Sequence, residues 1–225
     1  MKNDSNRPLR RNPIRTRRRL LEAGIRFFSA QGYHAVSVDQ IVEAARVNKR
    51  MVYHFFGSKE ALFRAALLDV YQRIEKIEFH AIEQGESPQE KLTRVLEGYF
   101  EFLDQNPEFV RLLLWENLEK GRHLAVEDHR LTKDPFMSRF RQIVEEGIAS
   151  GDFHAGINIP HLMVHFIGLC FIYHSNRFSL SQSLGIDLGD PKVKARGLAQ
   201  VLHLVFEGIN VREAPVGGKG STKRD

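Results

Sequence analysis

Residues 37–59, SVDQIVEAARVNKRMVYHFFGSK, carry three helix signals in one short stretch. The Ser37 hydroxyl can cap a helix over Val38–Ala45, with Gln40 three residues on as the return half of a capping box. A second short helix fits from about Asn48 to Phe55; Gly57 breaks it and Ser58 caps a longer one. Two short helices, a tight turn and a third helix at once behind them is helix-turn-helix anatomy, whose second helix lies in a DNA major groove. The faces sort accordingly. Val47, Val52, Phe55 and Phe56 are placed to pack inward against Ile41, Phe27 and Phe28. Lys49, Arg50, Tyr53 and His54 share the outward side. Those outward groups are long cationic donors for guanine edges and phosphates, with a phenol and an imidazole for backbone contacts. Lys59, in the first turn of the next helix, adds an ammonium beside free amides where a phosphate can dock.

Outward from this stretch, the prolines segment the chain. Ser87-Pro88, Asn106-Pro107, Asp134-Pro135 and Asp190-Pro191 each set a capping side chain before a residue favoured at the first helical position. Glu90 completes a capping box with Ser87, and Pro160 opens a further helix. Upstream, Leu20, Leu21, Ile25, Phe27 and Phe28 recur at helical spacing from about Arg15 until Gly32 stops them. The helix capped by Ser58 runs towards Gly85, and later helices are expected over 88–105, 107–120, 135–150, 160–178 and 191–209. No stretch alternates with period two, so no sheet is expected. The fold class is all-α, with about nine helices.

The 225 residues are 42% hydrophobic, 10% aromatic and 27% charged, which excludes a mostly disordered chain. A single cysteine excludes a disulfide scaffold or a cysteine-rich zinc module. The longest apolar run, Leu162–Tyr173, is about half a membrane span, and no secretory segment follows the first methionine. The expectation is a cytoplasmic protein with no membrane partner. Residues 1–60 hold thirteen Lys or Arg against five Asp or Glu, a net +8, while the whole chain is +5. A basic head on a mildly acidic body points to a polyanion partner for the head, with a solvated tail as the plain alternative.

The run TRRRLLEAGIRFFSAQGYHAVSVDQIVEAARVNKRMVYHFFGSKEALF, Thr16 to Phe63, resembles the DNA-binding domain of the TetR family of transcriptional repressors. The resemblance implies a helical homodimer in which helices 1 to 3 bind double-stranded operator DNA, helix 4 links, and helices 5 to 9 hold a small-molecule effector. The last two helices of each subunit would form a four-helix dimer interface. Ser37, Tyr53 and Lys59 match the family's phosphate contacts. Lys49, Arg50, Met51 and His54 match the stretch facing base edges. The expected organisation is a disordered basic arm over 1–12, a helix-turn-helix domain over 13–60, a ligand-binding and dimerisation domain over 61–210 and a disordered tail over 211–225. RLLLWENLEKGRHL from Arg111 and GLCFIYHSNRFSL from Gly168 are loosely similar to the C-terminal domains of pyrimidine-responsive members.

The sequence departs from the family pattern at three positions. Arg46 stands in the turn between the short helices where glycine is common, and a left-handed residue with a side chain costs about 1 kcal/mol. Arg50 and Met51 stand where smaller residues are frequent. The basic run Arg10–Arg19 extends the head, either as a minor-groove arm or as a loose segment on phosphates.

Phe102, Phe109, Trp115, Ile167, Phe171 and Tyr173, with His165 and Asn117 as polar groups, are the candidate walls of an apolar effector pocket; the plain alternative for each aromatic is core. Ile167 and Phe171 favour an effector larger and more apolar than a pyrimidine. Glu116 is expected at the surface. His161 and His165 have metal-ligand spacing but no evident third ligand, so neither metal nor cofactor is expected. Cys170 reads as a buried thiol. Gly217–Ser221 lacks the spacing of a phosphate loop. No nucleophile–base or paired-carboxylate set stands out, so an enzyme is not expected.

Overall fold

The computed structural model describes residues 12–83, 87–124 and 135–211. The expected arm and tail, apart from Asn12 and Val211, and the Asp134 cap lie outside them. Ten helices form among the described residues: α1 Pro13–Ala35, α2 Val38–Ala45, α3 Arg50–Phe56, α4 Lys59–Glu83, α5 Pro88–Gln105, α6 Pro107–Leu118, α7 Pro135–Ser150, α8 Ile159–Ser175, α9 Arg177–Leu184 and α10 Pro191–Ile209. The chain is all-α, as its sequence predicts.

The helices begin where local chemistry tells them to. Ser37 accepts from the Gln40 amide and Ser87 from the Glu90 amide, each in a complete capping box. Asn158 accepts from the His161 amide and Asp190 from those of Lys192 and Val193. Each such cap is worth about 1 kcal/mol. The same signal at Asn12-Pro13 starts α1 two residues before the expected Arg15, with Asn12 accepting from the Ile14 amide at 3.0 Å. Asn106 is the exception. It closes α5 and opens α6 at once, and its side-chain amide donates back to the Phe102 carbonyl at 2.9 Å instead of capping forward.

Two boundaries differ from expectation. The helix expected over 160–178 breaks at Asn176, whose backbone at φ −108°, ψ 16° leaves the helix, and α9 begins at Arg177. α1 does not stop at Gly32; it breaks there at φ 76°, ψ 176° and resumes to Ala35. The indole of Trp115, on α6, fills the space beside Gly32, 2.9 Å from where a Cβ would stand. The one β-type pairing among the described residues is an isolated bridge, Phe153 with Asn210, which clips the turn after α7 to the end of α10.

One buried cluster runs through both ends of the molecule. Leu20, Phe28, Ile41 and Val52 of the first three helices meet Leu62 and Phe63 of α4, with the Phe28 and Phe63 rings edge-to-face at 5.0 Å. Beyond α4 the cluster continues through Leu92, Leu96, Phe102, Phe140, Phe166 and Cys170. Each fully buried Phe or Leu contributes about 1.5–3 kcal/mol of transfer free energy. The first turns of α4 therefore complete the core of the helix-turn-helix, and α6 rests against α1 through Trp115.

Candidate nucleic-acid interface

α2 and α3 are set by the turn between them. Arg46 takes the left-handed conformation, φ 50° and ψ 52°. Its amide donates to Glu43 and that of Val47 to Val42, at 2.9 and 3.0 Å, so the last carbonyls of α2 stay paired. Asn48 then accepts from the Arg50 amide at 2.9 Å and starts α3. Val52 is fully buried, and Val47, Phe55 and Phe56 are half-buried against the core. Lys49, Arg50, Tyr53 and His54 are all exposed on the opposite side, as the spacing predicts. Met51, one residue before Val52, is half-buried against the core and turns less outward than its neighbours.

Charge on this face is partly pre-engaged. The Lys49 ammonium lies 2.9 Å from the Asp39 carboxylate, joining α3 to α2. The Asp39 hydrogen bond and charge raise the Lys49 pKa, but both side chains are exposed and such pairs stabilise little. Arg17 lays its guanidinium over the Phe56 ring at 5.1 Å. Lys59 is half-buried; its ammonium stands 4.4 Å over the Tyr33 ring, and burial lowers its pKa. Ser58 caps α4 by accepting from the Ala61 amide at 3.0 Å. Ser37 is exposed at the opening of α2.

The eight candidate pocket residues do not share one wall. Phe102 and Phe109 are buried and pack edge-to-face at 5.1 Å. Phe109 also meets Tyr71, whose phenol burial pushes up to about 12. Phe171 and Tyr173 are half-buried, Tyr173 against Phe100 at 5.5 Å. His165 and Ile167 are exposed, which corrects the expectation that they face the interior. α8 buries Ile159, Leu162, Met163, Phe166 and Cys170, and that stripe leaves 165 and 167 outside it. Asn117 is exposed and donates to the Leu113 carbonyl of its own helix at 2.8 Å, and Trp115 sits beneath Gly32. His161 and His165 are both exposed, with no cluster of three or more metal-ligating side chains among the described residues. No described helix is long and apolar enough to cross a membrane.

Glu116 overturns its surface expectation: it is 1% exposed. One carboxylate oxygen accepts from the His123 and Leu124 amides at 2.7 and 3.1 Å, and the other lies 2.7 Å from His123 Nδ1. The signal was present, since Phe109, Leu112 and Glu116 follow at 3 and 4 on the buried side of α6, but the charge spoke against it.

Comparison with known proteins agrees with this geometry. Residues 20–66 match the family model for bacterial regulatory proteins of the tetR family, and residues 88–205 the tetracyclin repressor-like C-terminal domain. The chain is 33% identical to the HTH-type transcriptional repressor NicS of Pseudomonas putida, over 87% of this chain and 92% of that protein. It is 29% identical to the HTH-type transcriptional repressor SCO4008 of Streptomyces coelicolor, over 71% and 78%. Among solved structures, the fatty acid degradation regulator FadR from Bacillus halodurans shares the fold with a TM-score of 0.67 at 17% identity, covering 85% of this chain and 94% of that one. A TetR family regulator from Marinobacter aquaeolei gives a TM-score of 0.66 at 17% identity, over 91% and 100%.

Proposed function

The chain belongs to the TetR family of DNA-binding transcriptional regulators, and on that premise we propose that it is a repressor whose α3 reads an operator in the major groove. Lys49, Arg50, Met51 and His54 face base edges; Ser37, Tyr53 and Lys59 hold phosphates. The observation that carries this reading is the two-sidedness of α3 and the residue that opens it: Lys49, Arg50, Tyr53 and His54 exposed on one side, Val52 at 0% exposure on the other. The likeness to two proteins named repressors supports repression.

Two copies would pair through the outward faces of α8 and α10, where Val164, Ile167 and Leu204 are exposed apolar residues. The pair would set its α3 helices about 34–36 Å apart, or a multiple of that, to meet a pseudo-palindrome. A small molecule bound among the C-terminal helices, and preferring a wider separation, would lower operator affinity by population shift alone. Such coupling is typically about 1–3 kcal/mol.

The test is fluorescence anisotropy on a duplex that the protein itself selects from a random-sequence pool. Arg50→Ala is expected to weaken binding by roughly 1–3 kcal/mol and to relax discrimination at one base position. Unchanged affinity and sequence preference in Arg50→Ala would refute the groove assignment.

A further inference from the structure

The end of α1, the start of α4 and the turn after α6 meet around one ring. Tyr33 has the His123 imidazole 4.9 Å and the Phe63 ring 5.3 Å from its centroid. The Lys59 ammonium stands 4.4 Å over it and the Arg122 guanidinium 5.8 Å away. Next to it, His34 and Glu119 pair at 3.1 Å. Behind the ring, the His123 side chain is fully buried, held by the Glu116 carboxylate. Two left-handed residues, Lys120 at φ 60° and Gly121 at φ 72°, fold the chain back so that His123 returns to the helix it has just left.

A buried carboxylate with three donors has few alternative geometries, whereas an apolar contact slides. Apolar packing alone would join α6 to α1 and α4 without an ionisable pair. What the pair adds is direction: it fixes the height and tilt of the imidazole, and through it the ring that carries Lys59. We infer that Glu116 and His123 are positioning residues for DNA binding, acting through Tyr33 to hold the Lys59 ammonium where it meets a phosphate. The end of α6 and a DNA contact are then parts of one rigid unit, and a displacement of α6 is felt at Lys59. This rests on the DNA-binding reading above.

The test measures binding of the selected duplex against salt. Each phosphate contact contributes about 0.9 to the slope of log K against log salt concentration. Lys59→Gln in the wild-type background should lower the slope by about that amount. Glu116→Ala, His123→Leu and Tyr33→Leu should each lower it equally, and adding Lys59→Gln to any of them should change nothing more. Tyr33→Phe, which keeps the ring, should retain the slope. Should Glu116→Ala fail to fold, the Tyr33→Leu and Tyr33→Phe pair carries the test. A purely structural role predicts a lower melting temperature with the Lys59-dependent slope intact, and that result overturns the inference. So does a Lys59→Gln without effect in a protein that Arg50→Ala disables, which leaves the DNA-binding reading standing. A wild-type protein that selects no duplex removes both.

Discussion

Replacing Gly32 with alanine is expected to cost roughly 2–6 kcal/mol, from two separable sources. The first is the backbone: φ 76°, ψ 176° lies in a region that only glycine enters readily, and a side chain there costs about 1–3 kcal/mol. The second is space. The new Cβ would stand 2.9 Å from two carbons of the Trp115 indole, and forcing a methyl into a packed site costs about 1–3 kcal/mol. At roughly 2–4 °C per kcal/mol for a chain of this size, a mid-range loss lowers the melting temperature by about 8–16 °C. Far-ultraviolet circular dichroism reads the transition, at one protomer concentration because association shifts it. Fluorescence follows the same site, since Trp115 is the single tryptophan. Trp115→Leu separates the two sources: in that background Gly32→Ala should cost only the backbone share. A Gly32→Ala protein within about 1 kcal/mol of wild type would refute the reasoning, since even the lower bound lies above that. An undiminished cost in the Trp115→Leu background would refute the steric half.

Arg46→Gly should stabilise the chain by about 0.5–1 kcal/mol, because φ 50° strains any residue with a Cβ; Arg46→Ala keeps that Cβ and should not, so equal melting temperatures for the two would contradict the strain. Burial lowers the His174 pKa from 6.5 to about 4, and its Nε2 is buried without a hydrogen-bond partner. Between those two values the unfolded imidazole binds a proton that the folded one does not. His174 therefore contributes stability fully above pH 6.5 and progressively less as pH falls through that window towards about 4. His174→Leu should flatten this part of a melting-temperature profile, and an unaltered profile would sink the assignment. Cys170 is fully buried and its thiol is pushed up to about 12, so a disulfide reagent at mildly alkaline pH should label it only on unfolding; prompt labelling of native protein would show the site to be open.

What was legible in the sequence is what a few neighbouring residues decide among themselves. A hydroxyl or carboxylate before Pro88 or Pro191 acts on amides within four residues, so the start of α5 or α10 can be read without knowing what either packs against. The α3 helix is legible for the same reason: its buried Val52 and the exposed Arg50, Tyr53 and His54 fall on opposite sides, and no distant element is needed to orient them. The break at Asn176 was not legible, because no proline marks it; it emerges from a backbone at φ −108° that a periodic apolar pattern passes over.

Glu116 and Trp115 fail differently, and together they show where local reading ends. Glu116 lies on the buried stripe of α6, but a charge is buried only where donors arrive, and those donors sit on a turn folded back by two left-handed residues. Trp115 has the size of a pocket wall or a core residue, and which it becomes is settled by a glycine far earlier in the chain that leaves room for it. From sequence Gly32 reads as a stop, since glycine ends helices; the chain instead uses its missing Cβ twice, to break α1 and to admit the indole. Both errors fall at one junction, between α6 and the helices that carry the DNA contacts. A junction of that kind has to be specified by complementary pairs far apart in the chain, because strength within either element alone would not tie their movements together.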